Sequence, residues 1–155
     1  LGLLGIDPVN WLGDKRTAML SLVIVNVWKN LGYYTLIFIA ALQSIPKYLY
    51  ESAELDRAKP YSVFLKITLP MISPTIFFMA LMGIISSFKT FEAVSLMTAG
   101  GPANSTNTIV YYLYQQGFTY YKIGYASAVG VVLMLLVGLL TLIYFLVISK
   151  RVHYQ

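Results

Sequence analysis

Residues 129–148 contain no charged side chain at all, and nothing else in the chain limits its fold as much. Two further stretches, 17–42 and 72–97, are long and apolar but interrupted by polar residues. A helix of about 20 residues crosses the ~30 Å hydrocarbon core of a bilayer, so each stretch can span it with some tilt, the third over roughly 126–148. Lipid offers no hydrogen-bond partner to a bare backbone, which restricts such spans to helices or closed barrels. Runs this long and continuous are helical. The chain is 58% hydrophobic and 11% charged, with a mean hydropathy of +0.71, more apolar matter than a soluble core of 155 residues needs. The sequence therefore predicts an all-α integral membrane protein with three transmembrane helices.

Several functions are excluded early. With no cysteine there is no disulfide scaffold, thiolate metal site or cysteine nucleophile. The single histidine, His153, lies in the last few residues, far from any plausible catalytic cluster. The net charge of +5 comes from scattered lysines and arginines without a basic run, which suits anionic lipid headgroups better than nucleic acid. No cofactor motif is present. The chain opens at Leu1 without a basic n-region, so no signal peptide is expected, and it reads as the C-terminal part of a longer protein.

The first stretch carries Asn26, Lys29 and Asn30, and the second Ser86, Ser87, Lys89 and Glu92. Polar groups at membrane depth are costly unless they face protein or water. These two helices are therefore expected to line an interior path, and the third to face lipid over much of its surface. Lys47, Arg57, Lys59, Lys66, Lys150 and Arg151 fall on one side of the membrane, and Lys15, Arg16 and Lys122 on the other. That bias places the 43–71 loop and the C-terminus inside the cell. Tyr111, Tyr112, Tyr114, Phe118, Tyr120, Tyr121 and Tyr125 crowd the outer connection, 98–125, and residues 109–118 read as a short helix near the outer interface.

The 43–71 loop is charged and amphipathic, and must lie outside the lipid. Ser44 is placed to cap a helix beginning near Pro46. From Lys47 to about Arg57, Tyr48, Leu49, Ser52, Ala53 and Leu55 recur at helical spacing, with Glu51, Glu54 and Arg57 on another face. Glu54 and Arg57 are spaced for a weak i,i+3 pair. Pro60 forces a restart, and a second short helix is expected to run to Thr68 before Pro70 ends it.

Glu51, Ala53, Asp56, Ala58, Phe64, Ile67, Leu69 and Pro70 match, in register, the EAA loop of the membrane subunits of binding-protein-dependent ABC importers, which this segment resembles. The resemblance implies that residues 47–58 form a coupling helix docked on a separate cytoplasmic ATPase, with Glu51, Ser52, Ala53, Asp56, Arg57 and Ala58 at the contact. Two positions depart from the pattern: Ser52 stands at its second alanine and Arg57 at its glycine. A bulky residue at positive φ is strained by roughly 1–2 kcal/mol. Either Arg57 takes an ordinary helical conformation and the bend moves to Lys59-Pro60, or the loop has a different shape.

Thr98-Ala-Gly-Gly-Pro102 resembles the Thr-x-Gly-Gly-Pro signature of the carbohydrate-type branch of the same family, as do 112–118, 124–128, Asn26-Val-Trp28 and Leu42-Gln-Ser-Ile-Pro46. No Gly-Lys-Ser/Thr follows the glycines, so they do not form a phosphate-cradling loop. The small residues Gly124, Ala126, Ser127 and Ala128 suit close helix packing. The resemblance covers nearly the whole chain. It implies a transport subunit in a bacterial plasma membrane rather than an enzyme, a second homologous permease, an extracytoplasmic solute-binding protein and ATPase subunits.

A path for sugars needs amides, hydroxyls and aromatic faces. Asn26, Asn30 and Tyr33 share a face of the first span at i, i+4, i+7, and Ser87, Thr90 and Phe91 are grouped on the second. Lys29, Lys89 and Glu92 either pair between helices or favour an anionic substrate such as a sugar phosphate. The reading is a permease fragment forming half of a translocation pathway, with sugar as cargo. Glycerol phosphate, another polyol or an oligosaccharide is the first alternative. A membrane enzyme is the second, and a membrane anchor or sensor the third.

Overall fold

A computed structural model describes residues 9–148. Among them every regular element is a helix, and there are no strands. Helix α1 runs Lys15–Gln43 and α2 Lys47–Leu55. Helix α3, Pro60–Met71, contains a π-helical turn at Phe64–Thr68, and α4 runs Ser73–Phe88. A second π turn, Val94–Thr98, precedes the glycine loop. Helix α5, Ile109–Tyr114, continues into a third π turn at Gln115–Thr119, and α6 runs Ile123–Ile148. Helices α1 and α6 are long and apolar enough to cross a membrane, and the bent pair α3–α4 brings the spans to three if it counts as one. The tail bearing Lys150, Arg151 and His153 lies outside the described residues.

Two expectations for the middle of the chain are corrected. Pro70 does not end α3. The chain continues through Leu69–Met71 and bends by 64° at Ile72 instead. Proline lacks the amide that would close the next helical bond, and its ring crowds the preceding carbonyls. The π turn at Phe64–Thr68 widens the helix immediately before it, with the Leu69 amide reaching back to the Phe64 carbonyl, and so makes room. The second apolar stretch is not one helix over 72–97 either. Helix α4 stops at Phe88 after 16 residues, about 24 Å of rise and short of the ~30 Å core. Lys89, Thr90 and Phe91 then leave the helix.

The described residues form two compact units, one of 9–29 and 86–137, the other of 30–85 and 138–148. The core of the first is Leu22, Val94 and Tyr111, with Phe91, Ala93 and Met97 packed against it. Phe91 lies edge-on to Tyr114 at 5.1 Å and tilted against Tyr111 at 6.0 Å. In the second unit Phe77 is buried. Its ring stacks on Tyr144 at 5.1 Å and meets Phe145 edge-on at 5.9 Å. The Tyr144 hydroxyl donates to the Phe77 carbonyl at 3.0 Å, so the one polar atom of that side chain is satisfied inside an apolar contact.

Candidate functional site

Helix α2 is short, and its geometry depends on how its ends are fastened. Ser44 does not cap it. The Ser44 hydroxyl donates backwards to the Ala41 carbonyl at 2.7 Å and so finishes α1, while Pro46, extended at φ −61° and ψ 131°, occupies the N-cap without a side-chain bond. At the other end the Arg57 amide donates to the Glu54 carbonyl and the Ala58 amide to the Ala53 carbonyl, both at 2.9 Å. This crossed pair of bonds is the Schellman motif, which needs a left-handed residue between the two donors. Arg57 supplies it at φ 52°. Neither expected rearrangement occurs: the bend stays at Arg57, and the residue adopts the conformation usually left to glycine.

The following segment is fixed to α2 as well. The hydroxyls of Tyr50 and Thr68 lie 3.1 Å apart, joining the middle of α2 to the π turn of α3. Ala53 and Thr68 are buried, as is Ile45 just before α2. Glu51, Ser52, Asp56, Arg57 and Ala58 remain exposed. Ala53, the other residue expected at a docking contact, therefore faces inward and serves the fold, while its carbonyl accepts the Ala58 bond. The Ser52 hydroxyl donates to the Tyr48 carbonyl at 2.8 Å. Leu55 closes the helix 86% exposed, more than the other apolar residue exposed on α2, Tyr48. It was missing from the expected contact set, and the signal for it was a leucine at the last turn of an otherwise charged helix.

Asn26, Asn30 and Tyr33 all lie on the unbroken α1, which keeps their i, i+4, i+7 spacing. Asn26 and Asn30 are half-buried and Tyr33 is exposed, its ring edge-on to Tyr34 at 5.9 Å. The second group, expected on one helical face, is divided. Ser87 lies in the last turn of α4, whereas Thr90 and Phe91 belong to the break. The Thr90 hydroxyl donates to the Ser86 carbonyl at 3.3 Å, and its own carbonyl accepts from Thr108 Oγ1 at 3.1 Å. Thr108 uses the same oxygen as N-cap of α5, accepting the Tyr111 amide at 3.3 Å. Phe91 packs into the aromatic core, so its ring belongs to the fold.

At this break the Lys29 ammonium meets the Glu92 carboxylate at 2.5 Å, across 63 residues of sequence. Lys29 is the midpoint of α1, so a bilayer crossed by this helix would hold the pair near its middle. A lone lysine there costs about 2.5–3.5 kcal/mol, which pairing reduces. The sequence left open whether this lysine pairs between helices, and it does.

The glycine loop is closed by its own threonines. Thr106, with no exposed surface, donates to the Gly101 carbonyl at 2.6 Å. Its oxygen lies 2.8 Å from Thr98 Oγ1. A threonine hydroxyl has one proton; that of Thr106 goes to Gly101, and that of Thr98 has two acceptors in reach, the Thr106 oxygen and the Val94 carbonyl at 3.2 Å. Gly100 sits at φ 82°, and a Cβ there would come within 3.0 Å of the Tyr111 ring. Both the conformation and the space require glycine. Thr106 and Thr108 were not singled out in the sequence, although the polar run after Pro102 marked them.

The binding-protein-dependent transport system inner membrane component family matches residues 2–154. The chain is 42% identical over 156 residues to the sn-glycerol-3-phosphate transport system permease protein UgpA of Pectobacterium atrosepticum, covering 100% of this chain and 52% of that protein. It is 42% identical over 147 residues to UgpA of Escherichia coli, covering 94% and 50%. It thus spans about half the length of the curated relatives it matches. Among solved structures it superposes with a TM-score of 0.87 at 27% identity on a bacterial ABC transporter involved in the import of the acidic polysaccharide alginate, covering 99% of this chain and 54% of that one. A second match, at TM-score 0.86 and 27% identity, is to the alginate ABC transporter in complex with an alginate pentasaccharide-bound periplasmic protein, covering 97% and 52%.

Proposed function

Because the chain belongs to the family of binding-protein-dependent transport system inner membrane components, we propose that it forms half of the translocation pathway of an ATP-driven importer and is coupled to a separate ATPase through α2. The observation that carries this reading is the fastening of α2. A left-handed Arg57 closes its end, and the Tyr50–Thr68 contact holds it to α3, so a push on its exposed Glu51, Ser52 and Leu55 moves the neighbouring helix rather than bending a loop. The chain itself performs no chemistry; the hydrolysis that drives transport belongs to the ATPase subunits.

The cargo is a hydroxyl-rich anion of the sn-glycerol 3-phosphate class. Two features favour this over a neutral sugar: the identity to UgpA proteins, and two lysines, Lys89 in the break and Lys29 on α1, against the one carboxylate of Glu92. A second permease of the same family and an extracytoplasmic solute-binding protein complete the assembly; the similar alginate transporter is in complex with a pentasaccharide-bound periplasmic protein. The protein lies in the bacterial inner membrane as a multi-pass subunit. The charge bias puts the loop holding α2 and the C-terminus in the cytoplasm.

Reconstitution of the full-length subunit with its partner permease, ATPase and solute-binding protein in proteoliposomes tests this reading. Uptake of labelled sn-glycerol 3-phosphate that requires both ATP and the binding protein is expected. Uptake that proceeds without ATP would overturn the assignment as an ATP-driven importer.

A further inference from the structure

The Lys29–Glu92 pair stands at an unusual place, and four observations bear on what it does. Lys29 is the midpoint of α1, and Glu92 follows directly on the three residues that interrupt the second span. Irregular backbone at membrane depth persists only where protein buries it or a water-filled cavity adjoins it. The two side chains nevertheless remain 64% and 74% exposed, unlike the neighbouring Phe91, which packs into the core. Lys89 lies in the same break, three residues before Glu92, so the segment and its partner carry two cations to one carboxylate.

We infer that this pair is an exchangeable anion contact: Lys29 is held by Glu92 in the resting chain and transfers to an anionic oxygen of the cargo as it passes. The inference rests on the proposed transport of an anionic cargo and specifies the residue that receives it. Lysine suits the role as a compact charge with three donors on a flexible stem, able to change partner without a fixed fork geometry. The net positive charge of the break draws an anion in, while Glu92 keeps Lys29 from holding it and limits dwell. An ion pair serving only to join two helices has no need of the second lysine.

The test uses the complete reconstituted transporter and labelled sn-glycerol 3-phosphate, with the Lys29→Gln and Glu92→Gln variants, their double and Lys29→Arg, each matched for co-purified ATPase. Loss of a charged hydrogen bond to the cargo raises KM about tenfold or more in Lys29→Gln. The double variant is expected to stay equally impaired, while Lys29→Arg keeps a KM close to that of the parent and Glu92→Gln lowers it. Restoration of the parent KM in the double variant would reduce the pair to a structural tie and overturn the inference alone. Failure of the parent transporter to take up sn-glycerol 3-phosphate, with ATP-dependent uptake of a neutral sugar instead, would overturn the cargo reading and the inference together. If Lys29→Gln does not assemble, Glu92→Gln decides: a lowered KM supports the exchange, and a raised one contradicts it.

Discussion

The Ala58 amide donates to the Ala53 carbonyl across 2.9 Å, and this bond closes α2 over an arginine in the left-handed conformation. The arrangement defines where the helix stops, which residues it exposes and how it joins α3. It also locates strain in the candidate coupling element, since an L-residue with a Cβ adopts this conformation at a cost of roughly 1–2 kcal/mol.

Arg57→Gly should therefore preserve the turn and stabilise it slightly. Relief of the strain is offset by the greater unfolded-state freedom of glycine, about 0.5–1 kcal/mol, leaving a net gain between about zero and 1.5 kcal/mol. Arg57→Val should destabilise, because a β-branched residue tolerates positive φ worst. Thermal unfolding midpoints of the purified full-length assembly rank the three proteins, and a midpoint for the glycine variant well below that of the parent would contradict the left-handed turn.

Thr106→Val removes a buried hydroxyl while nearly keeping its shape. The Gly101 carbonyl loses its donor, which costs about 1–3 kcal/mol for the unsatisfied group, while the Thr98 hydroxyl keeps the Val94 carbonyl at 3.2 Å. The loss is local, so limited proteolysis around 98–108 should accelerate several-fold with little change elsewhere. Unchanged cleavage would mean that the loop does not depend on this bond.

Thr108 joins the break at Thr90 to the start of α5 through one oxygen. Thr108→Val deletes the cap and the link together, and the cap alone is worth about 1 kcal/mol. Thr108→Ser keeps both and should behave as the parent. Amide exchange across α5 reads the difference, with faster exchange expected only in the valine variant.

Tyr144→Phe retains the ring that stacks on Phe77 and removes the bond to its carbonyl. Bonds of this kind between membrane helices are worth about 0.6 kcal/mol on average, so the variant should lose little. Tyr144→Ala forfeits the packing as well and should lose about 3–5 kcal/mol. Equal losses in the two variants would mean that the hydroxyl, not the ring, holds the contact.

Much of this architecture was legible in the sequence because hydropathy and charge report directly on what lipid tolerates. The apolar stretches at 17–42 and 126–148 fold as the helices Lys15–Gln43 and Ile123–Ile148, each long and apolar enough to cross a membrane, and the amphipathic segment after Pro46 forms α2. The interruption at Lys89–Phe91 was hidden because it contains neither proline nor glycine. It is held open by distant partners: Thr108 on the Thr90 carbonyl, the tyrosines around Phe91 and Lys29 on Glu92. Arg57 could not be read locally for a similar reason. Its conformation follows from the bonds that close α2 and from the burial of Ala53 behind it, neither of which side-chain identity alone specifies. The charges of Lys89 and Glu92 inside an apolar stretch were the available signal that the second span is not plain lipid-facing helix.

The coupling role of α2 is tested most directly by crosslinking from its exposed face. Single cysteines at Ser52 and Leu55, in a full-length subunit with no other cysteine and co-expressed with its ATPase, report contact, and a cysteine at the inward-facing Ala53 serves as control. Crosslinks to the ATPase from the first two positions that change in yield between nucleotide-free and ATP-bound states are expected, with little from the third. Capture of the ATPase from elsewhere on the subunit but never from Ser52 or Leu55 would contradict α2 as the coupling element.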